Sequence, residues 1–381
     1  MSQGWTREER ALLTLSCTER LGAATARALI EHFGSAAEVL EASPRALAEV
    51  PGVGRKLISI LMQRDGAKIA EEEMALLRHR REIGDPIDTL FVDHEGYPAS
   101  LAHCNDAPLV LYVRGKIPID APMLAVVGTR QSTHYAADAL DRLFTNLAQL
   151  CPELVIVSGL AYGVDQLAHS IALEKGLRTI AVVAHGHYTL YPSAHRELAR
   201  EIMTHGGAVV TEYRYNTRAL PQRFVARNRI VAGLSSGTLV VESPKKGGAL
   251  ITASIAFDYG RSLFALPGRL FDKTSEGCNR LIAFQKATLL LSAEQLLEEL
   301  NLLPDLCSPT PLPFGNQEPE SEDDTRHPIL AELAKVDVLT LEDLSMRLGM
   351  TIPEVSAQLF DLELDGKIRA LPGGRYVLRH N

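Results

Sequence analysis

Leu124-Ala-Val-Val-Gly128-Thr-Arg130 and Leu154-Val-Ile-Val-Ser158-Gly159-Leu-Ala161 decide the fold. Each is a short apolar run that stops at a glycine, followed by a segment with helical spacing: Tyr135–Leu150 after the first, Asp165–Lys175 after the second. A strand that is apolar on both faces is covered on both faces, which is the condition of a parallel sheet. Working outward, the same texture recurs at Thr179-Ile-Ala-Val-Val-Ala, Ala208-Val-Val, Gly237-Thr-Leu-Val-Val and Ser262-Leu-Phe-Ala-Leu, with helical stretches at Ala194–Met203 and Ile251–Tyr259. Strands alternating with helices predict an α/β domain, Rossmann-like and doubly wound, with a mainly parallel sheet. Two further strand candidates, Pro86–Val92 and Leu109–Gly115, precede it between proline-rich turns.

The flanks read differently. Residues 1–84 show only helical periodicity, at Glu8–Leu15, Ala23–Phe33, Ala36–Leu40, Arg45–Val50 and Glu71–Arg81. Val50-Pro-Gly52-Val-Gly54-Arg55-Lys56-Leu has the helix–hairpin–helix form, so this region is expected to be a helical, SAM-like domain. Its Gly-x-Gly turn either offers helix-start amides to a phosphate or simply packs tightly, and the sequence leaves both readings open. The Rossmann-like domain is then expected over 85–300. Prolines and acids without apolar periodicity mark 301–326 as a linker. The remainder, 327–381, reads as helices near Ile329–Ala334, Thr340–Leu348 and Ile352–Asp365, followed by a hairpin turned at Gly373-Gly374. That is the winged-helix order, with Pro353 opening the last helix. Its acids Glu354, Asp361, Glu363 and Asp365 make a protein contact a better expectation than duplex reading.

Composition bounds the function. The 381 residues are 46% hydrophobic and 23% charged, enough apolar matter for sizeable cores, and no uncharged apolar run is long enough to span a membrane. The first residues lack the apolar stretch of a signal peptide, so a cytoplasmic protein is expected. Five cysteines, none in a CxxC pair, argue against a disulfide framework and a cysteine zinc site. His185-Gly-His187 and His195 are close in sequence without HExxH, so no metal is expected. The net charge of −8 sits almost wholly in residues 301–381, which excludes a histone-like polycation and little else. There is no P-loop, no dinucleotide fingerprint, no nucleophile elbow and no convincing carboxylate pair, so no catalytic residue and no cofactor are assigned.

In a parallel sheet, ligands bind beyond the carboxyl ends of the strands, and here those ends carry glycine turns. They are Gly128-Thr129-Arg130, Ser158-Gly159, Lys246-Gly247-Gly248 leading to Thr252, and Leu266-Pro267-Gly268-Arg269. Glycine frees backbone amides to approach an anion, and the cations add potential. The basic segment Arg223-Phe224-Val-Ala-Arg227-Asn228-Arg229 sets arginines beside an aromatic ring. That pairing suits single-stranded nucleic acid, phosphates to arginine and bases to the ring.

These motifs, in this order, resemble the DprA (Smf) family from about Tyr97 to Leu300. They are Val126-Val-Gly-Thr-Arg, Val157-Ser-Gly-Leu-Ala with Gly163-Val-Asp165 and Ala168-His169, Thr179-Ile-Ala-Val-Val, Tyr191-Pro192, Arg227-Asn-Arg-Ile-Val-Ala-Gly-Leu-Ser, Gly247-Gly-Ala-Leu-Ile-Thr-Ala, Leu266-Pro-Gly and Gly277-Cys-Asn-Arg-Leu-Ile. The resemblance implies a cytoplasmic homodimer of natural transformation. It would bind incoming single-stranded DNA, shield it and help load the RecA recombinase, without catalysis. It places Gly128, Thr129, Arg130, Ser158, Gly159, Arg227, Asn228, Gly247 and Gly248 along the DNA, with Phe224 against a base. Some relatives carry a lysine where Pro221 stands, and Arg223 is the nearby cation here. The rival expectation is a nucleotide-binding enzyme similar to the Lonely-guy phosphoribohydrolases. Their glycine turn is trailed by an acid, whereas here Glu242 precedes Gly247-Gly248.

Overall fold

The computed structural model describes residues 5–303, 327–336, 338–371 and 375–378. The chain divides into two compact units, residues 1–304 and 305–381. The expected linker falls almost entirely outside the described residues, as does the Gly373-Gly374 turn.

The first unit is built on a nine-stranded sheet. Its strands are β1 (Asp88–Phe91), β2 (Val110–Gly115), β3 (Met123–Val127), β4 (Val155–Ser158), β5 (Arg178–Val182), β6 (Ala208–Thr211), β7 (Gly237–Val240), β8 (Ser262–Ala265) and β9 (Thr288–Leu289). They lie in the order β1-β2-β6-β5-β4-β3-β7-β8-β9. From β6 to β9 every pairing is parallel, while β1 and β2 add an antiparallel edge. The chain winds from β3 outward to β6, then crosses back to β7 on the other side of β3. That reversal is a topological switch point, where a crevice must open at the carboxyl ends. The doubly wound α/β fold expected from the sequence is therefore the fold observed. β9 was missed, because two residues at a sheet edge carry no period to read.

The apolar runs account for the burial. Every residue of β3, β4, β6 and β7 is buried. The helix His134–Leu150 lays Leu140, Phe144 and Leu147, spaced three and four apart, against one face. The N-terminal helices Arg7–Cys17 and Asp65–Glu82 pack together and share a core with β2. Thr6 and Glu9 form a capping box that starts the first of them. A buried Glu73 on the second accepts a bond from the Tyr215 amide at 2.7 Å, fastening these helices to the loop after β6. In the hairpin, Gly52 takes a left-handed φ of 85° and Gly54 precedes the helix Arg55–Gln63 without a side-chain cap.

The second unit has helices Pro328–Leu333, Leu341–Leu348 and Ile352–Leu364, with strands β10 (Leu339–Thr340), β11 (Ile368–Leu371) and β12 (Arg375–Leu378) in the order β10-β12-β11. Thr340 and Asp343 form a capping box at one end of the middle helix, and Gly349 closes the other in the left-handed conformation. Ile329, Leu333, Leu344, Val355, Leu359 and Ile368 fill the core of this winged helix.

Candidate nucleic-acid interface

At the switch point lies a crevice of about 640 Å³. The turns after β3, β4 and β7 form its floor and one wall, and the crossover helix Pro221–Leu234 forms the other. That helix presents Phe224, Arg227, Asn228 and Val231 to the crevice, positions three or four apart and hence on one face. Gly128, Thr129, Arg130, Gly159, Gly247, Gly248 and Thr252 complete the part of the lining that sequence reasoning named.

The close packing of these turns sets their residue types. Gly163 has φ +78°, and a Cβ there would stand 2.3 Å from the Thr129 carbonyl oxygen. A Cβ on Gly159 would meet the Arg227 guanidinium at 2.2 Å. The turns after β3 and β4 are thereby locked to each other and to the crossover helix.

Two arginines show opposite roles. Arg227 is buried, and its Nη1 donates to the Gly159 carbonyl at 2.7 Å and to the carbonyl of Val182. Burial pulls its pKa below the ordinary arginine value while the charge of Asp165 opposes that. Asp165 is in turn pushed up by burial and pulled down by Arg227. Arg227 thus clasps the ends of β4 and β5 from beneath the crevice. Arg130 is exposed, and its guanidinium lies over the Phe224 ring at 5.5 Å. Tyr191 meets the same ring edge-on at 5.6 Å between centroids. A cation and two rings therefore stand together in the crevice.

Four expected site residues lie elsewhere. Ser158 is fully buried and donates to the Val126 carbonyl at 2.6 Å, a bond between strands. Arg229 pairs with Glu212 and lies 3.8 Å from Asp106, turned away from Phe224 because it sits two residues beyond Arg227 on the helix. Arg223 lies over the Tyr213 ring at 5.3 Å and donates to the Arg218 carbonyl, facing a neighbouring cleft with Arg214 and Arg218. Lys246 is exposed beside the crevice without lining it.

Glu242, the acid before the glycines, is buried and spent. Its Oε1 accepts from the Thr133 hydroxyl at 2.6 Å and its Oε2 from the Thr133 amide at 3.0 Å, at the start of helix His134–Leu150. A carboxylate of the chain itself occupies the positive end where a dinucleotide fold seats phosphate. At the start of Ala249–Asp258 the N-cap Gly248 is exposed with open space where a Cβ would stand; the Leu250 and Ile251 amides donate to the Gly247 and Gly248 carbonyls at 3.1 Å, and the Gly248 and Ala249 amides make no hydrogen bond among the described residues. That helix start opens onto the crevice.

Sequence reasoning missed Tyr162, Tyr191, Leu220 and Ile251, all lining and all partly exposed. Tyr191 lay inside a quoted motif and Tyr162 between two quoted pieces, but an exposed ring in a loop carries no period. His169, His185 and His195 turn inward. Thr179 Oγ1 donates to the Ile156 carbonyl at 2.7 Å and so accepts from His169 Nδ1 at 2.6 Å. Burial, with Arg227 nearby, pulls His169 down to about 3 and keeps it neutral. Among the described residues, no three His, Cys, Asp or Glu side chains gather as a metal site. No helix among them is long and apolar enough to cross a membrane.

The comparisons with known proteins agree with this fold. The family model for DNA recombination-mediator protein A matches residues 88–301. A DprA winged helix domain matches 315–374, and a SAM-like helix-hairpin-helix tandem matches 11–61. Protein Smf of Escherichia coli is 35% identical over 336 residues, 84% of this chain and 87% of its own. The structure of DNA processing protein A from Streptococcus pneumoniae superposes with a TM-score of 0.65 at 31% identity, covering 77% of this chain and 98% of that one. DNA processing protein A from Helicobacter pylori, whose structure concerns its single-stranded DNA binding mode, superposes at 0.50 with 30% identity over 56% and 95% of the two chains.

Proposed function

We propose, starting from the fact that this chain belongs to the DNA recombination-mediator protein A family, that its crevice holds single-stranded DNA for recombination. The observation that carries this reading is the grouping of exposed Arg130, the Phe224 and Tyr191 rings and the start of Ala249–Asp258 along one edge of the sheet. Every base offers a face to stack on a ring, and phosphates take the cation and the Gly248 and Ala249 amides. Gly128, Thr129, Asn228, Gly247 and Gly248 are contact positions in this reading, while Arg227, Ser158 and Arg229 hold the frame. The protein works in the cytoplasm as a homodimer, shields incoming strands and helps load the RecA recombinase. In this reading it carries out no catalysis: Glu242, the acid that precedes the glycine turn in sequence, has both oxygens committed to Thr133, and Asp165, the carboxylate that lines the crevice, accepts from the Ala161 amide and faces the charge of Arg227.

Fluorescence anisotropy with labelled oligo-dT, titrated across salt and competed with duplex DNA and with AMP, tests this. Tight, salt-sensitive binding that duplex and AMP fail to displace is expected. Weak strand binding together with bound or cleaved AMP would overturn it in favour of a nucleotide enzyme. RecA filament assembly on coated strands then reads the loading step.

A further inference from the structure

The turn after β8 ends in two apolar side chains held out into solvent. Leu270 is 76% exposed and Phe271 91% exposed, the latter the most exposed large apolar residue described. Single exposed apolar residues are ordinary; two adjacent ones at the tip of a rigid turn are not. The stem is pinned at several points. Asn279 bonds Gly268 twice, receiving its amide at 3.1 Å and donating to its carbonyl at 3.0 Å. The Tyr135 hydroxyl donates to the Pro267 carbonyl at 2.6 Å. The Asp272 amide donates to the Arg269 carbonyl at 3.1 Å, closing a turn with Leu270 and Phe271 at its two central positions. A tip held this way does not fold back to bury its ring.

The flanks supply charge. Arg269 and Lys273 are exposed and make no ion pair among the described residues. The turn also adjoins the crevice. β8 is the neighbour of β7, and Ser243, in the turn that lines the crevice through Pro244 and Gly247, accepts from the Gly277 amide at 2.7 Å. With strands about 4.8 Å apart, the β8 turn begins about 10 Å along the sheet edge from Gly128-Thr129-Arg130.

We infer that this turn is a second stacking contact, on which the DNA strand lays a base against Phe271 and its phosphates against Arg269 and Lys273 after leaving the crevice past Gly248. The inference rests on the single-strand reading of the crevice. Arg269 and Lys273 stand two residues to either side of the ring and outnumber the one acid of the tip, Asp272, an arrangement that matches the repeating unit of a single strand, a base between phosphates, and the turn continues the crevice edge in the same direction.

The test uses the full-length chain. Phe271→Ala is expected to weaken oligo-dT binding about five- to tenfold, the lower range for one lost stack, with thermal stability unchanged because the ring packs on nothing. Arg269→Gln with Lys273→Gln should lower the salt slope by about 1.4, roughly 0.7 per phosphate contact. The chain holds a single tryptophan, so Phe271→Trp in a Trp5→Phe background places the only indole at the tip. Its emission should be quenched when oligo-dT is added. Oligo bound at full affinity by Phe271→Ala, with the indole emission unmoved, overturns the second contact and leaves the crevice reading standing. A changed oligomeric state in Phe271→Ala with unchanged strand affinity overturns it too, assigning the tip to a second copy. Failure of the unaltered protein to bind oligo-dT at all sinks both readings together.

Discussion

Two helices start at the same edge of the sheet, and a carboxylate of the chain bonds the start of only one of them. At His134–Leu150 the positive end is filled by Glu242, and the neighbouring Arg227 spends its guanidinium on the carbonyls of Gly159 and Val182. At Ala249–Asp258 the Gly248 and Ala249 amides make no hydrogen bond among the described residues, and exposed Arg130 stands over Phe224. The first set holds the edge together and the second is available to a ligand. The same residue types serve both ends, so charge near a glycine turn does not by itself identify a binding contact. What separates the two is whether a partner already exists within the chain.

The strongest way to break this comparison is at the committed end. Arg227→Ala removes a buried cation and leaves two carbonyls unpaired, so a loss of about 3 kcal/mol in urea unfolding is expected, with any loss of DNA affinity following the loss of fold. A stable variant that loses only DNA binding would move Arg227 to the ligand side. Glu242→Ala leaves the Thr133 amide and hydroxyl at the start of His134–Leu150 without their acceptor and should cost about 2 kcal/mol by the same measurement. Unchanged stability would show that the carboxylate does not hold that helix start.

Acid tests the same buried layer. His169 sits far below its ordinary value of 6.5, so between pH 6.5 and about 3 the unfolded chain binds a proton that the folded chain refuses. Stability from this group is complete above 6.5 and falls as pH drops, by roughly 1–2 kcal/mol between pH 6.5 and 5. His169→Gln should flatten that part of the pH–stability curve, and an unaltered slope would place the effect on His185 or His187, which burial also pulls down.

At the open end, effects fall on binding and not on folding. Arg130→Ala should leave thermal unfolding in place, weaken oligo-dT binding by up to about 1 kcal/mol and lower the salt slope by about 0.7. An unchanged slope would remove Arg130 from the phosphate path. Deleting residues 304–381 should change strand affinity least, within about twofold, because the acidic winged helix repels phosphate. Loss of most affinity would shift the site to that unit.

Much of this was legible. Apolar runs such as Leu124–Val127 and Leu154–Val157 state their own burial, and Ala23–Phe33 agrees with its helix end for end. The glycine turns named where the crevice would open. The arginines were harder: spacing along Pro221–Leu234 places Phe224, Arg227 and Asn228 on one face, yet gives no depth. Arg223 and Arg227, four apart, read as one basic surface and separate into a loop contact and a buried clasp. Depth depends on what lies beneath, and that comes from strands far away in sequence.

Period and punctuation specified the parallel sheet, the helical and winged-helix flanks and the edge at which the crevice opens, because both are local properties of the chain. The tertiary structure decided which charges are free. Glu242 reaches Thr133 across β7 and β3, and Arg227 reaches Val182 across the crossover, contacts between residues 109 and 45 positions apart. Pairing at such separations depends on the order of strands in the sheet, which no local pattern encodes.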